Sequence, residues 1–257
     1  MQLRWNKRTV DSEGVRLKVR DSGGEGKPVV LIHGLGLGHR SWDRVAPRLN
    51  AEGLRVVSYD QRGHGSSDVA GDYSYSAFAK DLALVLEEHG LEKPTLVGHS
   101  LGATIALGYA ASHKDCAGVV CVEGGLPLEL PSADWESTGA QMRRPLLRLA
   151  VWAMKVARLG TKLSFDELRR VVEEHDEVSS SKLDYAYRRI TCPILMVMGS
   201  QADPALQGEE IRAAVREGVR DLQRRHPRVE VEWLSCGHNV PLERPVELTE
   251  LIVGFAR

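Results

Sequence analysis

Apolar and polar positions along this chain follow two periods in alternation. "VRLKVRDSG" (Val15–Gly23) alternates in twos, with Val15, Leu17 and Val19 on one face, as a half-buried antiparallel strand does. "KPVVLIHGLG" (Lys27–Gly36) is a continuous aliphatic run ending in glycines, the pattern of a strand buried on both faces. "SWDRVAPRLNAEG" then reads as a helix with Ser41 as N-cap and Gly53 as its stop. "LRVVSYD" is a strand and "QRGHGSSD" a turn-rich loop. "SYSAFAKDLALVLEEHG" has helical spacing at Phe78, Leu82, Val85 and Leu86 and ends at Gly90. "KPTLVG", "SLGATIALGYAASH" and "AGVVCVEGG" repeat the order strand, helix, strand. Such alternation predicts the α/β class: a mostly parallel sheet covered by helices on both faces.

The alternation stops between Leu126 and Arg189. "LPLELPSADWE" is irregular, and "MRRPLLRLAVWAMKVARLG" and "SFDELRRVVEEHDEV" are amphipathic helices with no strand between them. It resumes with "CPILMVMGS", "ALQGEEIRAAVREGVRDLQRRH", "RVEVEWLS" and "PVELTELIVGFA". The expected organisation is a core formed by 1–125 and 192–257, interrupted by an all-helical cap at 126–191.

At 257 residues the chain is long enough to bury a full core, and 42% apolar with 27% charged residues is the balance of a soluble globular protein. A net charge of −1 gives no electrostatic reason for a nucleic-acid or anionic-membrane partner. The pairs Arg143–Arg144 and Arg224–Arg225 read as solvated helix faces. "MQLRWNKRTVDSEG" lacks the apolar core of a signal peptide, and no apolar run reaches the roughly 20 residues of a spanning helix. Cys116, Cys121, Cys192 and Cys236 lack metal-ligand spacing and sit in or beside strand-like runs. Buried thiols in a cytoplasmic protein, monomeric or homodimeric, without metal or cofactor, are the expectation.

The chemistry centres on Gly98-His99-Ser100-Leu101-Gly102, where a strand turns directly into a helix. A serine on so tight a turn is held with its oxygen exposed at the sheet edge, at a helix N-terminus that favours developing negative charge. The hydroxyl needs a base, and the base needs an orienting group. Among nine histidines, His238 in "LSCGHNVPLERP" follows the last strand, on the edge where Ser100 lies. His33 and His64 read as loop-building residues; His39, His89, His113, His175 and His226 are expected to face solvent. Asp203, in "SQADP" after the strand "PILMVMG", is the preferred acid and gives the chain order Ser, Asp, His; Glu123, ending "AGVVCVE", is the alternative. The amides of Leu101 and of Leu35, in "HGLGLG", would form an oxyanion hole. A phosphate-cradling loop is the rival reading of those glycines, but no G-x-x-x-x-G-K-[ST] is present and the spacing does not give G-x-G-x-x-G.

Four motifs, "HGLG" with Trp42 downstream, "YDQRGHGSSD", "GHSLGA" and "GHNVPLERP", make the chain resemble α/β-hydrolase-fold serine hydrolases over nearly its whole length apart from the cap. The resemblance implies an eight-stranded sheet, with Ser100 as nucleophile, His238 as base, Asp203 as acid and Leu35 and Leu101 as oxyanion amides. One departure is visible: Asp203 lies four residues after Gly199, where the family often places its acid three after. The implied reaction is attack of Ser100 on a carbonyl, then hydrolysis of the acyl-enzyme. An aspartate at position 100 would have suggested a dehalogenase or an epoxide hydrolase. Apolar residues of the cap, Trp135 and Trp152 among them, together with His33, Gly34 and Trp42, are candidates for a modest pocket. They suit a small to medium hydrophobic ester, lactone or thioester. The same triad could serve carbon–carbon bond hydrolysis, perhydrolysis or a biosynthetic tailoring step, and a ligand-binding protein on the same scaffold is a further alternative.

Overall fold

A computed structural model describes residues 3–128, 160–202 and 209–257. Its strands are β1 (Asn6–Ser12), β2 (Val15–Asp21), β3 (Pro28–Ile32), β4 (Arg55–Tyr59), β5 (Thr95–His99), β6 (Gly118–Val122), β7 (Ile194–Gly199) and β8 (Val229–Leu234). They form one sheet in the order β1-β2-β4-β3-β5-β6-β7-β8. β1 and β2 are an antiparallel hairpin, β2 runs antiparallel to β4, and the remaining pairings are parallel. The described helices are α1 (Ala46–Ala51), α2 (Tyr75–Glu88), α3 (Leu101–Ser112), α4 (Phe165–Ser181), α5 (Leu183–Arg189), α6 (Glu209–Arg225), the single turn α7 (Val240–Glu243), and α8 (Pro245–Ala256).

The unbroken aliphatic runs have a direct structural cause. Val30 and Ile32 of β3 enter the core layer that holds Phe78, Leu82 and Leu107, whereas Val29 and Leu31 enter the layer that holds Leu49, Leu248 and Ile252. Successive side chains of a strand point to opposite faces, so a strand between two helix layers must be apolar throughout. The chain leaves β3 toward β4 on one side and β5 toward β6 on the other. The crevice at the carboxyl ends of β3 and β5 is therefore a switch point, the place where parallel sheets receive ligands.

One predicted element differs. The helix expected over 41–53 is a 3₁₀ turn at His39–Trp42 followed by α1. Pro47 cannot donate to the preceding turn and clashes with it, so the helix restarts with Pro47 in its first turn. Ser41 is no N-cap; its hydroxyl donates to Gly38 O at 2.9 Å. Gly53 does end the segment, with φ +85°.

Among the described residues only α4 and α5 stand between β6 and β7. Ser164 and Glu167 close the start of α4 with a reciprocal capping box. Lys162 N–H donates to Gly63 O (2.7 Å), Gly65 N–H donates to Gly160 O (2.9 Å), and the Tyr187 hydroxyl donates to Gly125 O (2.7 Å), so this helical segment is tied to the core at both ends. The four cysteines are free, and three of them are buried.

Candidate active site

Ser100 joins β5 to α3 with φ +52° and ψ −119°, a conformation that a side chain adopts only when its surroundings enforce it. Here Ser100 N–H donates to Val122 O of β6 at 2.9 Å, and the two flanking glycines allow backbone to pass at close range. A Cβ on Gly98 would stand 2.2 Å from Gly102 O, and one on Gly102 would stand 2.4 Å from Ile32 O. Both clashes are with backbone, so neither position tolerates a side chain without separating α3 from the sheet. The elbow thus places Ser100 at the N-terminus of α3, whose first amides have no partner within the helix.

His238 lies in the loop between β8 and α7. Gly237 N–H donates to Glu243 Oε2 (3.1 Å), and the His238 carbonyl accepts from His99 Nε2 (2.9 Å). Its Nδ1 stands 3.1 Å from Glu123 Oε2. Glu123 directly follows β6 and also has a positive φ, +48°. Its carboxylate is 2% exposed and Arg212 of α6 is 0% exposed; Arg212 Nη1 lies 2.9 Å from Oε1 and Arg212 Nη2 3.2 Å from Oε2. Gly199 N–H donates to Oε1 at 2.5 Å. Burial would raise the Glu123 carboxyl, but the hydrogen bonds of His238 and Arg212 outweigh it and hold the group below its usual range. A charged acceptor therefore faces His238 Nδ1, which orients the ring and leaves Nε2 for proton transfer.

Three further histidines build the frame. His33 Nδ1–H donates to Gly34 O (2.8 Å) and its Nε2 accepts from Gln61 N–H (3.0 Å). His64 Nδ1–H donates to Arg62 O (2.8 Å), and its Nε2 accepts from Gly36 N–H (3.3 Å), pinning the glycine loop after β3. Burial pushes His33 down to about 4 and His64 and His99 to about 3, so all three are neutral. Leu37 N–H closes a turn on Gly34 O (3.2 Å), which leaves the Leu35 amide unused among the described residues. Gly34 packs so close to Ser100 that an added Cβ would lie 3.1 Å from Ser100 Cβ. The glycine loop and the start of α3 thus flank Ser100.

Ser100, Glu123 and His238 line one cavity of about 110 Å³. Gly124, Gly125, Leu126 and Leu128 continue it from the end of β6, and Met198 and Val215 add an apolar wall. Its lining also includes the polar residues His175, Asp176 and Ser179 on α4. His175, expected at the surface, is half-buried and sits 3.0 Å from Thr104 Oγ1 through Nε2; His89, expected there too, is buried. Trp42 is fully buried in the core layer with Leu49 and Leu248, and His33 is fully buried behind the glycine loop; neither lines this cavity. Asp203, Trp135 and Trp152 lie outside the described residues. Sequence reasoning missed Arg212, although a signal existed. It occupies the buried stripe of α6 with Val215, Val219 and Leu222, so one charge interrupts an apolar face. Among the described residues no three His, Cys, Asp or Glu side chains gather as a metal site, and no helix is long and apolar enough to cross a membrane.

Comparison with known proteins agrees with this architecture. The model of the Alpha/beta hydrolase family matches residues 29–251. Abhydrolase domain-containing protein C22H12.03 of Schizosaccharomyces pombe is 27% identical over 256 residues, covering 89% of this chain and 91% of that protein. Epoxide hydrolase B of Mycobacterium tuberculosis is 41% identical over 100 residues, which cover 37% of this chain and 28% of that protein. A bromoperoxidase from Bacillus anthracis superposes with a TM-score of 0.76 at 21% identity, over 97% of this chain and 99% of its own. An esterase from Exiguobacterium antarcticum does so with a TM-score of 0.76 at 20% identity, over 96% and 98%.

Proposed function

Since this chain belongs to the alpha/beta hydrolase family, we propose that it is a serine hydrolase that cleaves small to medium hydrophobic carboxylic esters, lactones or thioesters through an acyl-enzyme on Ser100. The observation that carries this reading is the convergence of Ser100, His238 and a buried carboxylate on one cavity. The esterase that shares the fold is consistent with it.

In this mechanism the substrate carbonyl sits over the elbow. His238 Nε2 takes the Ser100 proton as the oxygen attacks, and the imidazolium gives that proton to the leaving group. The oxyanion is held by the Leu101 and Leu35 amides, aided by the N-terminus of α3. Water, activated by the same histidine, then releases the acid. Glu123 is the acid of the triad: its Oε2 faces His238 Nδ1 at 3.1 Å. The chain order then becomes Ser, Glu, His, with the acid one strand earlier than Asp203. The helical segment between β6 and β7 acts as a cap, and the apolar wall formed by Leu126, Leu128, Met198 and Val215 receives the acyl group.

The test is turnover of p-nitrophenyl acetate and butyrate by Ser100→Ala, Glu123→Gln and Asp203→Asn. Ser100→Ala should lose essentially all acyl transfer. Glu123→Gln should lose about 10⁴ in kcat, the scale seen when a triad acid becomes an amide. Asp203→Asn should stay within about tenfold of the parent. Undiminished turnover by Ser100→Ala would overturn the nucleophile. A larger loss for Asp203→Asn than for Glu123→Gln would move the acid to Asp203.

A further inference from the structure

Resting on the reading of Ser100 and His238 as the reacting pair, we propose that Arg212 is a positioning residue for catalysis, which fixes the Glu123 carboxylate in the single pose that orients His238. Four observations support this. Arg212 is fully buried and approaches both carboxylate oxygens, with Nη1 2.9 Å from Oε1 and 3.3 Å from Oε2 and Nη2 3.2 Å from Oε2. Its Nη1 also donates to Gly199 O (3.0 Å) at the end of β7, while Gly199 N–H donates to Glu123 Oε1. Guanidinium, carboxylate and strand end are therefore linked pairwise by hydrogen bonds. Oε1 is filled by Arg212 and Gly199, so Oε2 is the oxygen left for His238 Nδ1. Glu123 itself has a left-handed backbone, an uncommon conformation for a non-glycine residue.

The chemical reasoning is about charge and aim. A carboxylate this buried would become neutral without a partner, and a neutral carboxyl is a poor acceptor for an imidazolium. Replacing a buried ion pair by apolar groups often leaves stability unchanged or improved, so stability is a weak reason for a chain to keep this one. A planar fork fixes both the ionisation and the rotation of the carboxylate, which a point charge cannot do. Among the described residues, the titratable and charged groups around Glu123 are His238 and Cys236 from the β8–α7 loop, Arg212 from α6 and His99 from β5. His99 is neutral and burial raises the Cys236 thiol to about 11, so Arg212 is the permanent cation in this set.

The experiment is a double-mutant cycle on p-nitrophenyl acetate, measured from pH 5 to 9, with rates of fluorophosphonate labelling at Ser100 as a second readout. Arg212→Met in the parent should lower kcat about 10²-fold, as misplacement of a catalytic group by an ångström does, with KM within about threefold. The acid limb of its kcat/KM profile should move up by about one pH unit or more, because the carboxyl protonates earlier once the opposite charge is gone. Arg212→Lys should restore part of the loss. In the Glu123→Gln background, Arg212→Met should cost less than about threefold, because the catalytic effect of Arg212 runs through the Glu123 carboxylate. If Arg212→Met in the parent does not fold, the variant carrying both changes, which removes both charges, still decides by comparison with Glu123→Gln. An equal loss from Arg212→Met in both backgrounds, an unmoved acid limb, or failure of the doubly substituted variant to fold would make Arg212 a structural residue and overturn the proposal. Undiminished turnover by Ser100→Ala would instead overturn the serine mechanism itself.

Discussion

Lowering the pH from 7.5 to 5 should destabilise the fold well before its carboxylates protonate, because three buried histidines frame the site in the neutral form. His33, His64 and His99 are at most 1% exposed. In His33 and His64 one ring nitrogen donates to a carbonyl and the other accepts a backbone N–H, from Gln61 and Gly36 respectively. A second ring proton would point N–H at N–H. In His99, Nε2–H donates to His238 O and Nδ1 is buried with no partner among the described residues, so a proton there would be a poorly solvated charge. The unfolded chain binds protons near pH 6.5, whereas burial holds the folded groups at about 4, 3 and 3. Their folded values are depressed, so the unfolded state gains protons first and stability is lost as pH falls from about 6.5 toward 4. Each group contributes about 1.4 kcal/mol per pH unit in that window. Down to pH 5 that is about 2 kcal/mol each and about 6 kcal/mol for three, comparable with the whole stability of a typical domain. Burial lowers His89 and His226 as well, which adds in the same direction. Asp60, held down to about 2 against its burial by His39, begins to contribute only below about pH 4. Urea unfolding at pH 7.5, 6.5, 5.5 and 5.0 gives the slope directly, and His64→Gln, which can keep a donor and an acceptor, should reduce it by about one proton. A stability change below about 1 kcal/mol between pH 7.5 and 5.0 would refute the reasoning.

Three other outcomes are expected. Gly102→Ala should destabilise by about 3 kcal/mol or more in urea unfolding, because its Cβ would meet Ile32 O at 2.4 Å and His33 O at 2.8 Å and neither is a flexible side chain. Tyr187→Phe removes the bond to Gly125 O and should cost about 1 kcal/mol in the same assay, with turnover nearly unchanged. His64→Ala frees the Gly36 amide and should lower kcat on p-nitrophenyl acetate by less than the roughly 10²–10³ lost when an oxyanion donor itself is removed; a loss confined to KM would count against the loop's role.

The fold was legible because its signals are local. The short, β-branched run Val29–Ile32, flanked by Pro28 and the glycines after His33, reads as a doubly buried strand, and the glycines at 98 and 102 mark a strand-to-helix turn that no bulkier pair would permit. The helix expected over 41–53 was misread for a local reason too, since Pro47 resets the helix start. What the sequence left open is tertiary. The motifs make Asp203 the preferred acid and Glu123 the alternative; Asp203 lies outside the described residues, whereas Glu123 meets both Arg212 and His238, partners distant in sequence that no local spacing announces. His175 read as a surface residue because a helix pattern gives the exposed face but not what packs over it. Arg212 was hidden in the opposite way, as a charge on a stripe otherwise occupied by Val215, Val219 and Leu222.

The most direct measurement is the intact mass of the protein after incubation with a fluorophosphonate, with peptide mapping, beside p-nitrophenol release from short-chain esters. One adduct per chain, located at Ser100, abolished by Ser100→Ala and accompanied by turnover, is the predicted result. An unlabelled chain, or an adduct that persists in Ser100→Ala, would contradict the assignment of Ser100 as an activated nucleophile.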